Sequence, residues 1–140
     1  MRTMTRWTWP VTALLIVLTA LPAGAATREG KWRGETSQDF KIVVIVGDDE
    51  RIKTVEVKVE YDNDACVREV TWGFGLDVRV RDDGTFRLNL ADDNDDRDTL
   101  LIRGEFVTRR RAEGTFRGTF FDGGACNDLK AKGTWVAKRA

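Results

Sequence analysis

Thr54-Val55-Glu56-Val57-Lys58-Val59-Glu60-Tyr61 alternates apolar and charged or polar residues without a break. Successive side chains on a strand point to opposite faces, so Val55, Val57, Val59 and Tyr61 share one side and Glu56, Lys58 and Glu60 the other. Such a strand has a core on one face and water on the other, as antiparallel sheets do. The same period recurs to either side of it. Residues 30–38 put Trp32, Gly34 and Thr36 on one face and Lys31, Arg33 and Glu35 on the other. Residues 39–46 are nearly continuously apolar, the pattern of a strand covered on both sides or curling inside a barrel, and Gly47-Asp48-Asp49-Glu50 makes the turn after them.

Downstream, Asp62-Asn63-Asp64 is a turn, and residues 66–74 place Val70, Trp72 and Phe74 on the face of Cys66. The Gly73/Gly75 pair predicts a bend or bulge before the strand resumes over 76–80. Asp82-Asp83-Gly84 predicts a hairpin into Phe86, Leu88 and Leu90. After an acidic loop, residues 99–108 carry Leu100, Ile102 and Phe106 inward. Residues 109–113 turn the chain, 114–121 form the next strand, and a last strand centred on Trp135 runs over about 129–138. No stretch has a 3.6-residue apolar period. The expectation is an all-β chain of about eight or nine strands, an antiparallel meander closed into a small barrel or folded into a sandwich.

The N-terminus reads differently. Arg2 and Arg6 precede an apolar run from Val11 to Leu21, and Ala23-Gly24-Ala25 has the small-residue pattern of a cleavage site. Residues 1–25 are therefore expected to be a signal peptide cleaved after Ala25, with one domain over 26–140. The apolar run is too short to span a bilayer. The mature chain is expected to be secreted, periplasmic or associated with the cell envelope, with no membrane span, and monomeric. Two cysteines in an exported chain predict one disulfide, Cys66 to Cys126.

The 140 residues hold 23 Lys and Arg against 23 Asp and Glu and no His. Loss of Arg2 and Arg6 with the leader makes the balance 21 against 23. Without His there is no imidazole base, and Ser37 is the only serine, so triad chemistry is excluded. Acid pairs of the glycosidase kind can be drawn on paper, but nothing singles out two carboxylates at the required separation. The protein is expected not to be an enzyme and to need no cofactor. Near-zero net charge argues against a polyanion binder that works by bulk electrostatics, and no specific nucleic-acid partner is expected.

Four constellations remain as candidate sites. Trp32, Trp72 and Trp135 are core filler or the wall of a ligand cavity. Arg68 shares the inward parity of Val70 and Trp72, so either a bulge near Cys66 turns it outward or it is buried and requires an acceptor, in which case it would meet an anionic ligand group. Arg79, Arg81, Arg87, Arg103 and Arg117 fall on outward positions and could gather into a basic face, with cross-strand ion pairs as the ordinary alternative. Asp92, Asn94, Asp96 and Asp98 have the 1, 3, 5, 7 spacing of calcium ligands, but Arg97 stands where an EF-hand-type loop has Gly and Arg103 where it has Glu. The other reading of that loop is a solvated hairpin tip.

The segment Gly30-Lys31-Trp32-Arg33-Gly34-Glu35-Thr36-Ser37-Gln38, the single Cys after the Val/Tyr-rich strand, and the ending Glu113-Gly114-Thr115-Phe116-Arg117-Gly118-Thr119-Phe120, Cys126, Gly133-Thr134-Trp135 resemble a group of small exported bacterial β-proteins with a GxWxGxTSQ-like start. That resemblance implies export, an all-β fold and a disulfide, and carries no activity. Gly30-x-Trp32 is also similar to the first strand of the calycin barrels, meaning lipocalins, fatty-acid-binding proteins and avidins. It implies that Trp32 closes one barrel end with Arg139 or Arg117 packed across it, and that a small apolar or anionic ligand is held inside. The second lipocalin motif, T-D-Y, is missing, and one Ser and one Tyr do not furnish a biotin site.

Overall fold

The computed structural model describes residues 27–140, so the signal peptide and its cleavage site lie outside the described residues. Eight strands follow one another: β1 (Gly30–Thr36), β2 (Lys41–Val46), β3 (Arg51–Asp62), β4 (Val67–Arg79), β5 (Thr85–Ala91), β6 (Thr99–Phe106), β7 (Arg111–Phe120) and β8 (Leu129–Arg139). All are antiparallel in one sheet of order β4-β3-β2-β1-β8-β7-β6-β5, which curls into a small barrel. The first and last strands are therefore neighbours, with Trp32 opposite Arg139 and Thr36 opposite Trp135. A barrel, rather than a sandwich, is the outcome.

The inward face is filled with rings that lie over glycines. Phe116 stands opposite Gly133, Trp135 opposite Gly114 and Phe86 opposite Gly104 in the ladders. A Cβ at Gly104 would overlap the rings of Phe86 and Trp135, and one at Gly133 would overlap Phe116. The shared Gly-x-aromatic spacing of Gly114-x-Phe116 and Gly133-x-Trp135 thus sets each ring across the ladder from the other strand's glycine. At Gly104 and Gly133 glycine leaves the hollow that a ring occupies, while at Gly114 it lets the Arg103 carbonyl approach. Trp32 and Trp135 are each 1% exposed and Tyr61 is fully buried. Trp32 and Phe106 meet edge to face at 4.8 Å, a favourable aromatic geometry.

The Thr36-Ser37-Gln38 part of the opening motif completes the sheet. β1 and β2 are short, and beyond their hairpin the longer β3 and β8 approach each other until Asp62 pairs with Lys130. The hairpin tip bridges the remaining gap. Ser37 donates its N–H to the Thr134 carbonyl and its Oγ accepts from the Thr134 N–H. The Gln38 amide does the same for Glu60, donating to its carbonyl and accepting from its N–H, both at 2.9 Å. Thr36 Oγ1 accepts from the N–H groups of Gln38 and Phe40 and holds the turn.

Some expectations change in detail. Residues 66–80 do not form two pieces: β4 is one strand, and its register with β3 shifts between Ile52/Val78 and Thr54/Gly75, which puts the bulge beside Gly75 as the glycine pair predicts. No bulge reverses Arg68, since the register from Val55/Phe74 to Asp62/Val67 is unbroken. β2 is covered on one side only: Ile42, Val44 and Val46 are buried, while Val43 and Ile45 are half-buried on the outside. The turn expected at residues 109–113 lies at 107–110, and β7 has begun by Arg111.

Cys66 and Cys126 are bonded, joining the start of β4 to the 3-10 turn Gly124–Cys126 before β8. Their separation of 60 residues corresponds to about 4 kcal/mol in the chain-entropy model. Asn63 tightens the same end of the barrel by donating to the carbonyls of Ala125 and Asn127.

Gly104→Ala is expected to cost about 1–3 kcal/mol in urea unfolding, because the methyl group overpacks two rings. Gly73, around which a Cβ would meet nothing, is the control. Gly73→Ala is expected to be neutral or stabilising by up to about 1 kcal/mol.

Candidate functional site: the outer face of β5–β8

With the inside occupied, the well-formed grooves lie on the outside. One has a volume of about 930 Å³ and runs across β5 to β8 as far as the end of β3. Strand alternation and register set its walls. Asn89, Leu101, Arg117 and Lys132 stand side by side across the four strands, and Ala91, Thr99, Thr119 and Lys130 form the next row. Gln38, Glu60 and Asp62 close the far side. Thr119 Oγ1 donates to the Arg97 carbonyl and shares a bond with Thr99 Oγ1, so these hydroxyls are fixed in place.

The row on the other side is Arg87, Arg103, Thr115 and Thr134. It borders two smaller grooves. One, of about 490 Å³, brings Arg103, Arg117 and Lys132 around Thr115 and Thr134. The other, of about 590 Å³, adds Arg81 and Arg87 beside Glu105 and Glu113. Four of the five arginines expected on a basic face are thus brought together. Arg79 stays apart, on β4, opposite Arg51 and 3.6 Å from Asp82. β4 and β5 are consecutive in the chain but are the two ends of the sheet order, so no ladder carries β4 to that face.

The tryptophans are core. The Trp32 indole N–H donates to the Arg28 carbonyl, Trp72 to the Tyr61 hydroxyl and Trp135 to the Arg103 carbonyl. None of them lines any of these three grooves. Arg139, rather than Arg117, packs across Trp32, its guanidinium 5.7 Å from the ring centroid. It also donates to the carbonyls of Thr27 and Glu29.

Arg68 keeps its inward parity but sits at the barrel rim, exposed. Its Nε donates to Asp122 at 2.6 Å and an Nη reaches Cys126 Sγ. It therefore clamps the disulfide loop instead of entering a cavity.

The acidic loop does not gather its oxygens around one point. Asp92 accepts from the N–H of Asn94, and Asp95 pairs with Arg97. Asp98 turns inward and accepts from the Phe121 N–H at 2.8 Å. Among the described residues no group of three or more His, Cys, Asp or Glu side chains is placed to hold a metal ion. Burial, with the charges of Asp95 and Asp92, pushes the Asp98 carboxyl above its ordinary value despite the Phe121 bond. Asp77 shows the opposite effect. Hydrogen bonds from Arg51 and Lys53 lower it to about 2.

Lys130, Lys132, Asn89, Gln38 and Thr119 were not among the sequence-predicted site residues. The alternation Leu129-Lys130-Ala131-Lys132 does place both lysines on the outward side of the last strand. What it lacks is the information that β7 is beside them. No protein-family model matches the chain, and no curated protein is similar enough to be matched to it.

The two shifted carboxyls predict opposite pH profiles. The folded-state pKa of Asp98 is raised, so the folded state loses stability as pH rises from about 3.8 through that value. Asp98→Asn should gain relative to wild type between pH 3 and pH 7, while Asp98→Ala, which orphans the Phe121 N–H, should be destabilised by about 1–3 kcal/mol. Asp77 is lowered, so its contribution is present above about pH 3.8 and fades as pH falls towards 2. Asp77→Asn should therefore lose stability at pH 7 and converge on wild type as pH falls through about 2. Urea melts across this range check both.

Proposed function

We propose that this chain is an extracytoplasmic binding protein without catalysis of its own, which takes its ligand on the outside of a filled barrel along the groove over β5–β8. The observation that carries the reading is that groove. Its volume of about 930 Å³ is in the usual range of ligand sites, and it combines apolar Leu101 and Ala91 with Asn89, Arg117 and Lys132, whose polar ends face outward. The Cys66–Cys126 bond supports an oxidising compartment outside the cytoplasm. The lack of His and the engagement of the single Ser in the sheet support a binding role over a catalytic one.

A ligand inside the barrel, the calycin-type alternative, would have to displace rings whose indole N–H groups already have acceptors. Each orphaned N–H would cost about 1–3 kcal/mol before any contact with the ligand was gained.

The test is co-sedimentation of the purified protein with insoluble envelope material from the source cells. Retention at low salt is expected, with loss in Asn89→Trp and Ala91→Trp, which fill the groove from exposed positions. An apolar fluorophore is expected to show no saturable binding to the folded protein. Undiminished retention of both groove-filling variants would overturn the outer-face reading, and stoichiometric uptake of the fluorophore would favour the interior.

A further inference from the structure

Two pairs of like charges face each other on the outside of the barrel. Arg87 is directly opposite Arg103 on β5 and β6, and Arg117 directly opposite Lys132 on β7 and β8. All four are exposed. Among the described residues none of them forms an ion pair with a carboxylate. Elsewhere several cations are paired, Arg51 and Lys53 with Asp77, Arg68 with Asp122 and Arg111 with Glu113, and one further like-charge couple, Arg33 opposite Lys138, lies across β1 and β8. Like charges directly across a ladder destabilise it. Two such pairs together on one face are the arrangement of a surface neutralised by something outside the chain.

We infer that this face binds a linear acidic polysaccharide, whose successive anionic groups are taken by Arg87 with Arg103 and by Arg117 with Lys132. The inference rests on the outer-face reading above and names the chemistry of its ligand. The two cation pairs are offset by two strand spacings of about 4.8 Å and one two-residue step of about 6.8 Å, or about 12 Å on the diagonal. A single phosphate or carboxylate cannot reach both, but a chain with repeated anionic groups can. Between the pairs lie the Thr115 and Thr134 side chains in a groove of about 490 Å³, suited to the hydroxyls of a sugar ring. Guanidinium groups take carboxylate or sulfate through two parallel hydrogen bonds.

The same surface disfavours nucleic acid. Glu60 and Asp62 border the stripe on one side and Glu105 and Glu113 on the other, which confines it to the width of one chain. The rings nearest to it, Phe86 and Phe116, are each 3% exposed, so a base finds nothing to stack on.

The test is fluorescence anisotropy with the purified full chain and labelled oligogalacturonate, labelled heparin fragments, neutral dextran and oligo(dT). Both acidic sugars are expected to bind at low salt and to weaken as salt rises, with dextran silent and oligo(dT) weaker by at least about tenfold. R87Q/R103Q and R117Q/K132Q should each weaken the acidic sugars by about tenfold and melt at or above the wild-type temperature, since each removes a repulsion. K31Q/R33Q, which removes the same charge from β1, should bind as wild type. The inference falls if K31Q/R33Q loses as much as the other two, or if oligo(dT) binds as tightly as the sugars. It falls alone, leaving the outer-face reading intact, if neither acidic sugar binds while Asn89→Trp still abolishes envelope retention.

Discussion

Everything in this barrel depends on aromatic rings lying over glycines across the ladders. Phe116 over Gly133, and Phe86 and Trp135 over Gly104, let an eight-stranded sheet close tightly with its interior occupied. A side chain at any of these glycines would push a ring, and a ring removed would leave a void that neighbouring strands could fill only by moving. The filling of the interior in turn decides where chemistry can occur. Interior space goes to packing, and the surfaces able to meet another molecule are the outward rows of the strands.

The opening motif gains a structural meaning from the same architecture. Trp32 fills one end and is covered by Arg139. Gly34 lets β1 approach β8, since a Cβ there would collide with the Val136 carbonyl. Thr36, Ser37 and Gln38 shape the hairpin and substitute for missing backbone ladder bonds to β8 and β3. Residues whose spacing looks like a signature of function are here a signature of closure. A polar side chain that bonds a peptide group the ladder leaves open takes the place of a ladder bond, as exposed Ser37 and half-buried Gln38 do.

Much of this was legible in the chain. Val55, Val57, Val59 and Tyr61 are all buried as their alternation requires, the bulge falls beside Gly75, and the two cysteines pair. Local period and turn chemistry are short-range properties, and so a single sequence carries them. Long-range proximity is different. Nothing local in Lys132 states that Arg117 is its neighbour, and nothing in Arg79 states that the sheet ends at β4 and leaves it away from Arg87. Arg68 shows a third case: parity gives a direction and not a depth, and at the rim an inward direction leads to Asp122 and solvent.

The pairing of β1 with β8 makes the order of the chain a constraint on its assembly. Until residues 129–139 are present, β1 and β7 each keep an open edge, and Tyr61, Phe116 and Trp32 lack the strand that covers them. The contacts that complete the barrel span nearly the whole described chain, and contacts of such high sequence separation form late and slowly. The Cys66–Cys126 bond joins residues 60 apart and can lock the fold only once both ends of that loop are in place. Closure through the β1–β8 pairing makes completion of the barrel a late event in folding, set by its most distant contacts.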